Sequence, residues 1–91
     1  MVGDSMKILH KEGKFWAKTA HGEAHLLYRI DGGDMTIYET FVPEEERGKG
    51  IAHDLTAEAM KFAENNHLNV IAACSYAKQF MEKRAKKLGS F

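Results

Sequence analysis

Val42-Pro43-Glu44-Glu45-Glu46-Arg47-Gly48-Lys49-Gly50-Ile51-Ala52 is the stretch on which the fold turns. An apolar strand runs into it and an amphipathic helix runs out. Pro43 and the three glutamates stop the strand, because proline donates no amide to a ladder. Gly48 and Gly50 permit a tight backbone turn and a close approach from above. The helix starting at Ile51 has no Ser, Thr, Asp or Asn at its head to cap it. The free N–H groups of residues 48 to 52 therefore face outward at the positive end of the helix dipole. That is an anion site, best suited to phosphate.

Upstream, the chain is punctuated like an antiparallel meander. Met6–His10 reads as a strand, Glu12-Gly13-Lys14 as a turn and Phe15–Lys18 as a second strand. Ala24–Ile30 puts Ala24, Leu26, Tyr28 and Ile30 on one face, and Asp31-Gly32-Gly33-Asp34 is a hairpin signal. Met35–Val42 returns with Met35, Ile37, Glu39 and Phe41 facing one way and Thr36, Tyr38, Thr40 and Val42 the other.

Downstream the period changes. Ile51, Ala52, Leu55, Ala59, Phe62 and Ala63 share one helical face, and Asn65-Asn66-His67 is a stop in which asparagine takes the left-handed turn. Val70–Cys74 is apolar at every position, as suits a strand covered on both faces. Tyr76–Leu88 reads as a second helix, with Lys78, Lys83, Lys86 and Lys87 in solvent. The order β-β-β-β-α-β-α describes one mixed α/β domain over residues 1–91, with residues 1–5 expected to be disordered. Ligands of such folds bind beyond the carboxyl ends of the parallel strands, here near Val42 and Cys74.

Composition bounds the function. Thirteen basic and thirteen acidic residues cancel, so no global field draws the protein to nucleic acid or membrane. One cysteine excludes an internal disulfide and fits a reducing compartment, and no run approaches the ~20 apolar residues of a membrane span. A cytoplasmic monomer or weak dimer is expected. The five histidines show no metal-ligand spacing, so no metal is expected. Arg47-Gly48-Lys49-Gly50 is neither a P-loop nor a dinucleotide fingerprint, since Gly50-Ile51 replaces Lys-Ser/Thr and His53 replaces the third glycine.

Val42-Pro43-x-x-x-Arg47-Gly48-x-Gly50-Ile51-Ala52, a helix, and an apolar strand ending Cys74-Ser75-Tyr76 together resemble a compact branch of the GNAT superfamily of N-acetyltransferases. That branch lacks the early helices of longer members. The resemblance implies a GNAT-like fold with two splayed parallel strands, use of acetyl-coenzyme A, and an amine acceptor not specified by the sequence, such as a protein or peptide amine. It also implies pyrophosphate binding by the amides of Arg47, Gly48, Lys49, Gly50, Ile51 and Ala52, and pantetheine pairing near Phe41 and Val42. Glu45 stands where superfamily members usually carry Gln or Arg, and Glu39-Thr40-Phe41-Val42-Pro43 stands where compact relatives often show His-Thr-x-Val-Pro.

Acetyl transfer to an amine needs a base, an oxyanion donor and an acid for the thiolate. Glu39 interrupts an apolar row, so it is either a base of raised pKa on a buried face or a structural carboxylate, for instance paired with Arg29. Cys74 is a nucleophile, a wall of the thioester pocket, or a small buried residue. Tyr76 is an acid for the thiolate, as the resemblance implies, or a core aromatic. Ser75 caps the second helix, and Lys78 reaches either a phosphate or solvent. A non-catalytic coenzyme A binding module and a ligand-free interaction domain are the alternative functions.

Overall fold

In the computed structural model, residues 7–89 are described, with side chains as far as Lys83. The expectation for residues 1–5 therefore lies outside the described residues, as do the side chains of Lys86, Lys87 and Leu88. Four antiparallel strands follow one another: β1 (Leu9–Lys11), β2 (Lys14–Thr19), β3 (Gly22–Asp31) and β4 (Asp34–Phe41). A 3₁₀ turn (Glu44–Glu46), helix α1 (Ile51–Asn65), strand β5 (Asn69–Ala72) and helix α2 (Ser75–Gly89) complete the mixed α/β chain. The sheet runs β1-β2-β3-β4-β5 in spatial order, and only the β4–β5 pair is parallel.

The core lies on one face of the sheet. Leu26, Tyr28, Met35 and Ile37 meet Ile51, Leu55, Ala59 and Ala63 of α1, and Ala77 of α2 joins them. Alanines at 24, 59 and 63 keep both surfaces low, so helix and sheet approach closely and leave almost no exposed area there. Thr56, fully buried in α1, donates its hydroxyl to Ala52 O at 2.8 Å, which leaves no unpaired polar atom. His10, one of the unplaced histidines, belongs to the fold. Its ring stacks on Phe15 at 3.9 Å and its Nε2 meets the Tyr28 hydroxyl at 2.6 Å.

The first helix stops differently from expectation. The left-handed residue is His67, at φ 56°, and not an asparagine. Leu68 N donates to Ala63 O at 2.8 Å and His67 N to Glu64 O at 3.2 Å, the paired bonds of a Schellman ending. Leu68 then packs on the core and carries the chain into β5.

Three further expectations are corrected. β5 is a short edge strand, and one face of it is bare: Ile71 is 42% exposed, not covered on both sides. Ile30 shares a side with Tyr28 but is also exposed, because it stands at the end of the sheet.

The third correction concerns β4. Tyr28 pairs with Ile37 but Leu27 pairs with Glu39, so Tyr38 is an extra residue and forms a bulge. A one-residue slip exchanges the faces of everything beyond it. Thr40 thus pairs with core-facing Leu26, and Phe41 pairs with His25 on the far side. Glu39 leaves the row of Met35 and Ile37 and becomes exposed.

Leu55→Ala is expected to lower unfolding free energy by about 3 kcal/mol, the usual cost of a buried leucine's cavity. Ile71→Thr should change it by less than about 0.5 kcal/mol, as for an exposed site. Urea denaturation of both variants checks the pair, and a large loss from Ile71→Thr would contradict a bare outer face.

Candidate active site

β4 and β5 pair from Asp34 opposite Asn69 to Ile37 opposite Ala72. Ala73 N donates to Ile37 O at 2.8 Å, and that is the last bond between them. From Tyr38 to Phe41, β4 has no partner on the β5 side among the described residues. The chain after β5 turns away at Cys74, where the sulfur accepts from Ala77 N at 3.4 Å and caps α2. Ser75 is therefore the first helical residue and not the cap. Across the opening, Thr40 Oγ1 and Cys74 Sγ stand 3.5 Å apart and span its base.

A cleft of about 470 Å³ occupies this opening. Its walls are the end of β4 (Thr40, Phe41, Val42), the corner (Glu46, Arg47, Gly48, Gly50), the head of α1 (Ile51, Ala52, His53) and Tyr76 of α2. Gly50 is the N-cap residue at φ 85°, a left-handed conformation open to glycine, and it supplies no side-chain cap. The first amide of the helix to find a backbone acceptor across that boundary is Asp54 N, on Gly50 O at 3.0 Å. Arg47 N, expected among the free donors, instead donates to Glu44 O at 3.2 Å, while the amides from Gly48 to Ala52 have no backbone acceptor among the described residues and stand open at the corner.

The charged side chains around the corner are tied down. Arg47 Nε donates to Val42 O at 3.0 Å, which folds the guanidinium back over the end of β4. Lys49 Nζ donates to Glu46 Oε1 at 3.0 Å, and His21 Nδ1 meets Glu46 Oε2 at 2.7 Å. Glu46 is 5% exposed, and these two partners, His21 first and Lys49 second, hold its carboxyl below the usual carboxylate range. The pair fastens the 3₁₀ turn to the β2–β3 hairpin and so sets the position of the glycine corner.

Of the residues singled out from sequence, Phe41, Val42, Arg47, Gly48, Gly50, Ile51, Ala52 and Tyr76 line the cleft. Lys49, Ser75, Cys74 and Lys78 are not part of its lining, and Lys78 is exposed. Burial and, secondarily, the charge of Asp54 push the Tyr76 hydroxyl above its ordinary value. Glu39 lies on the opposite, open face, hydrogen-bonded to His25 at 2.7 Å. Arg29, its expected salt-bridge partner, instead covers the Tyr38 ring at 6.0 Å. Sequence reasoning missed Thr40, Glu46 and His53 in the lining. His53 carried a signal, since it replaces a glycine where a phosphate turn needs small residues, but nothing in a run of three glutamates tells which one turns inward.

Comparison with known proteins follows this geometry. Residues 14–88 match the family model described as GCN5-related N-acetyl-transferase. The chain is a member of the GCN5-related N-acetyltransferase family. This GNAT chain is also similar, at 30% identity and a TM-score of 0.74, to the solution NMR structure of a GCN5-like protein from Staphylococcus aureus, itself assigned only provisionally as an N-acetyltransferase. That match covers 93% of this chain and 86% of the other. Among the described residues of the GNAT domain, no helix is long and apolar enough to cross a membrane.

Glu46→Gln should destabilise the protein at pH 7. Because the folded state lowers the titration range of Glu46, its contribution is full above the unfolded carboxylate range, near pH 4.3, and is lost as pH falls through the lowered folded value. Thermal melts of both proteins between about pH 7 and 3 should converge in acid; a gap that stays constant contradicts the assignment.

Proposed function

We propose that this GNAT domain binds acetyl-coenzyme A in the cleft between β4 and β5 and transfers the acetyl group to a primary amine. The observation that carries the reading is the uncapped amide corner at Gly50 placed directly beside the parting of a parallel strand pair. A diphosphate suits oriented N–H groups at a helix head. An extended amide-bearing arm suits the unpaired edge of β4 from Tyr38 to Phe41. The volume of the cleft lies within the range of small-ligand sites.

Each part of the chain then has a task. The amides of Gly48, Lys49, Gly50, Ile51 and Ala52 bind the diphosphate, with positive charge from Arg47 nearby. Lys49 is ion-paired with Glu46, so it serves first to hold the corner. Phe41 and Val42 carry the backbone that aligns the arm. Acetyl-coenzyme A supplies an activated thioester when bound. Tyr76, which keeps its proton at neutral pH, returns one to the departing thiolate. Cys74, engaged with Thr40 and the α2 amide, serves as a structural bridge at the point where the strands part, behind the cleft lining.

The acceptor approaches from the open face of the sheet, where Glu39 stands. No helix covers that face among the described residues, and Tyr38, Phe41 and Ile71 are exposed on it. Such a shallow approach suits a lysine or terminal amine on a flexible chain better than an enclosed metabolite. A second reading, a coenzyme A binding module without turnover, is favoured by one observation: Glu39 is half-exposed and not in the apolar pocket that would make it a stronger base.

Isothermal titration with coenzyme A tests the binding half. Gly50→Asp keeps a residue type that tolerates the left-handed region but puts a negative charge on the bare amides. It is expected to weaken binding by at least about tenfold, or ~1.4 kcal/mol. Unchanged affinity would overturn the corner as the diphosphate site. Release of thiol from acetyl-coenzyme A in the presence of poly-L-lysine tests turnover. Tyr76→Phe should lower kcat by about 10- to 100-fold with coenzyme A affinity retained; full activity would remove the tyrosine from the reaction.

A further inference from the structure

The open face of the sheet carries an arrangement that the cleft does not use. His25, in β3, sits opposite Phe41 of β4, and their rings lie 5.5 Å apart. Phe41 is thus a shared wall, with the cleft on one side and the imidazole on the other. The His25 side chain is only 20% exposed, and its Nε2 is 2.7 Å from Glu39 Oε2. An ionised carboxylate can only accept, so Nε2 carries the proton and Nδ1 is left with a lone pair. Nδ1 has no hydrogen-bond partner among the described residues; the nearest carboxylate oxygen, on Glu23, is 3.8 Å away.

We propose that His25 is the proton acceptor of the acetyl transfer and that Glu39 is its positioning residue. This rests on the transferase reading given above. Glu39 fixes the tautomer and the ring orientation through Nε2 and stabilises the imidazolium that forms, the logic by which a carboxylate serves a catalytic histidine. The acceptor enters as an ammonium ion. One N–H bond breaks, its proton goes to Nδ1 of His25 directly or through one water, and the electron pair left on nitrogen attacks the thioester carbon. The C–S bond breaks as the carbonyl re-forms, the thiolate takes the Tyr76 proton, and the second proton lost from nitrogen returns to the phenolate. The imidazolium then lies between Glu39 and Glu23, and it gives its proton to solvent after the product leaves.

The neighbouring charges agree with that sequence. Glu23 and Glu39 face the imidazole with two negative charges, while Lys14, 2.9 Å from Glu23, offsets part of the first and Lys11 acts on Glu23 from farther away. The strand β2 neighbour in register with His25 is Trp16, which carries no charge. Two carboxylates beside one imidazole draw in a cationic acceptor. Histidine is the side chain that most often takes a proton in such a role.

The test is the pH dependence of kcat/KM for thiol release from acetyl-coenzyme A, with poly-L-lysine, spermidine and a lysine-containing peptide as acceptors. The wild type should show an acid limb. His25→Gln should lower the rate by about 100-fold or more and remove that limb. Glu39→Gln, at an exposed position that folding tolerates, should move the limb to lower pH, because the imidazolium loses its carboxylate. The double variant should be no slower than His25→Gln, since the two groups act as a unit. An acid limb that persists in His25→Gln, or losses that multiply in the double variant, would overturn the dyad while leaving the transferase reading intact. Coenzyme A binding without thiol release from any acceptor would overturn turnover itself, and the dyad with it.

Discussion

Two parallel strands that share hydrogen bonds for four residues and then part are the constraint from which the rest of the structure follows. A continuous ladder would have filled the space that the cleft occupies. Both strands are led away from each other by local chemistry. On β4 the extra residue Tyr38 kinks the ladder, and Pro43 a few residues later cannot donate to one. On the other side, Cys74 turns the chain by capping α2 through its sulfur, so β5 has no residues left to offer. Among the described residues, the opening is bridged only by the weak Thr40–Cys74 contact at its base.

The bulge has a second consequence. By exchanging faces beyond Tyr38 it brings Thr40 and Val42 to the helix side, where they wall the cleft, and sends Glu39 and Phe41 to the open side beside His25. One inserted residue therefore sets the cleft-lining Thr40 and Val42 on one face of the strand and Glu39 on the other. The corner beyond it is held rigid by polar ties and not by hydrophobic burial. Arg47 is bonded to the end of β4, and Glu46 joins Lys49 and the hairpin residue His21.

Most of the architecture was legible because its signals are local. Glycines at 32 and 33 mark the hairpin, the spacing of Ile51, Leu55 and Ala59 marks α1, and the two-glycine run into Ile51 marks the uncapped corner that lines the cleft. The bulge was not legible, since Met35, Ile37, Glu39 and Phe41 alternate in the sequence as they would in an unbroken strand. The partner strand sets the slip, through the pairing of Leu27 with Glu39. The same limit explains β5: an apolar run does not reveal whether a further layer exists to cover it. The cap of α2 was assigned to Ser75 because serine is the commoner cap, yet the chain enters the helix one residue earlier. The Glu46–His21 tie spans 25 positions and leaves no trace in either segment alone.

The most direct measurement is the amide chemical-shift response of the ¹⁵N-labelled protein to coenzyme A. The account predicts that the largest changes fall on the amides from Gly48 to His53, with a second group at Phe41 and Val42 along the parted strand. Shifts concentrated elsewhere, or an unmoved glycine corner at saturating coenzyme A, would contradict it.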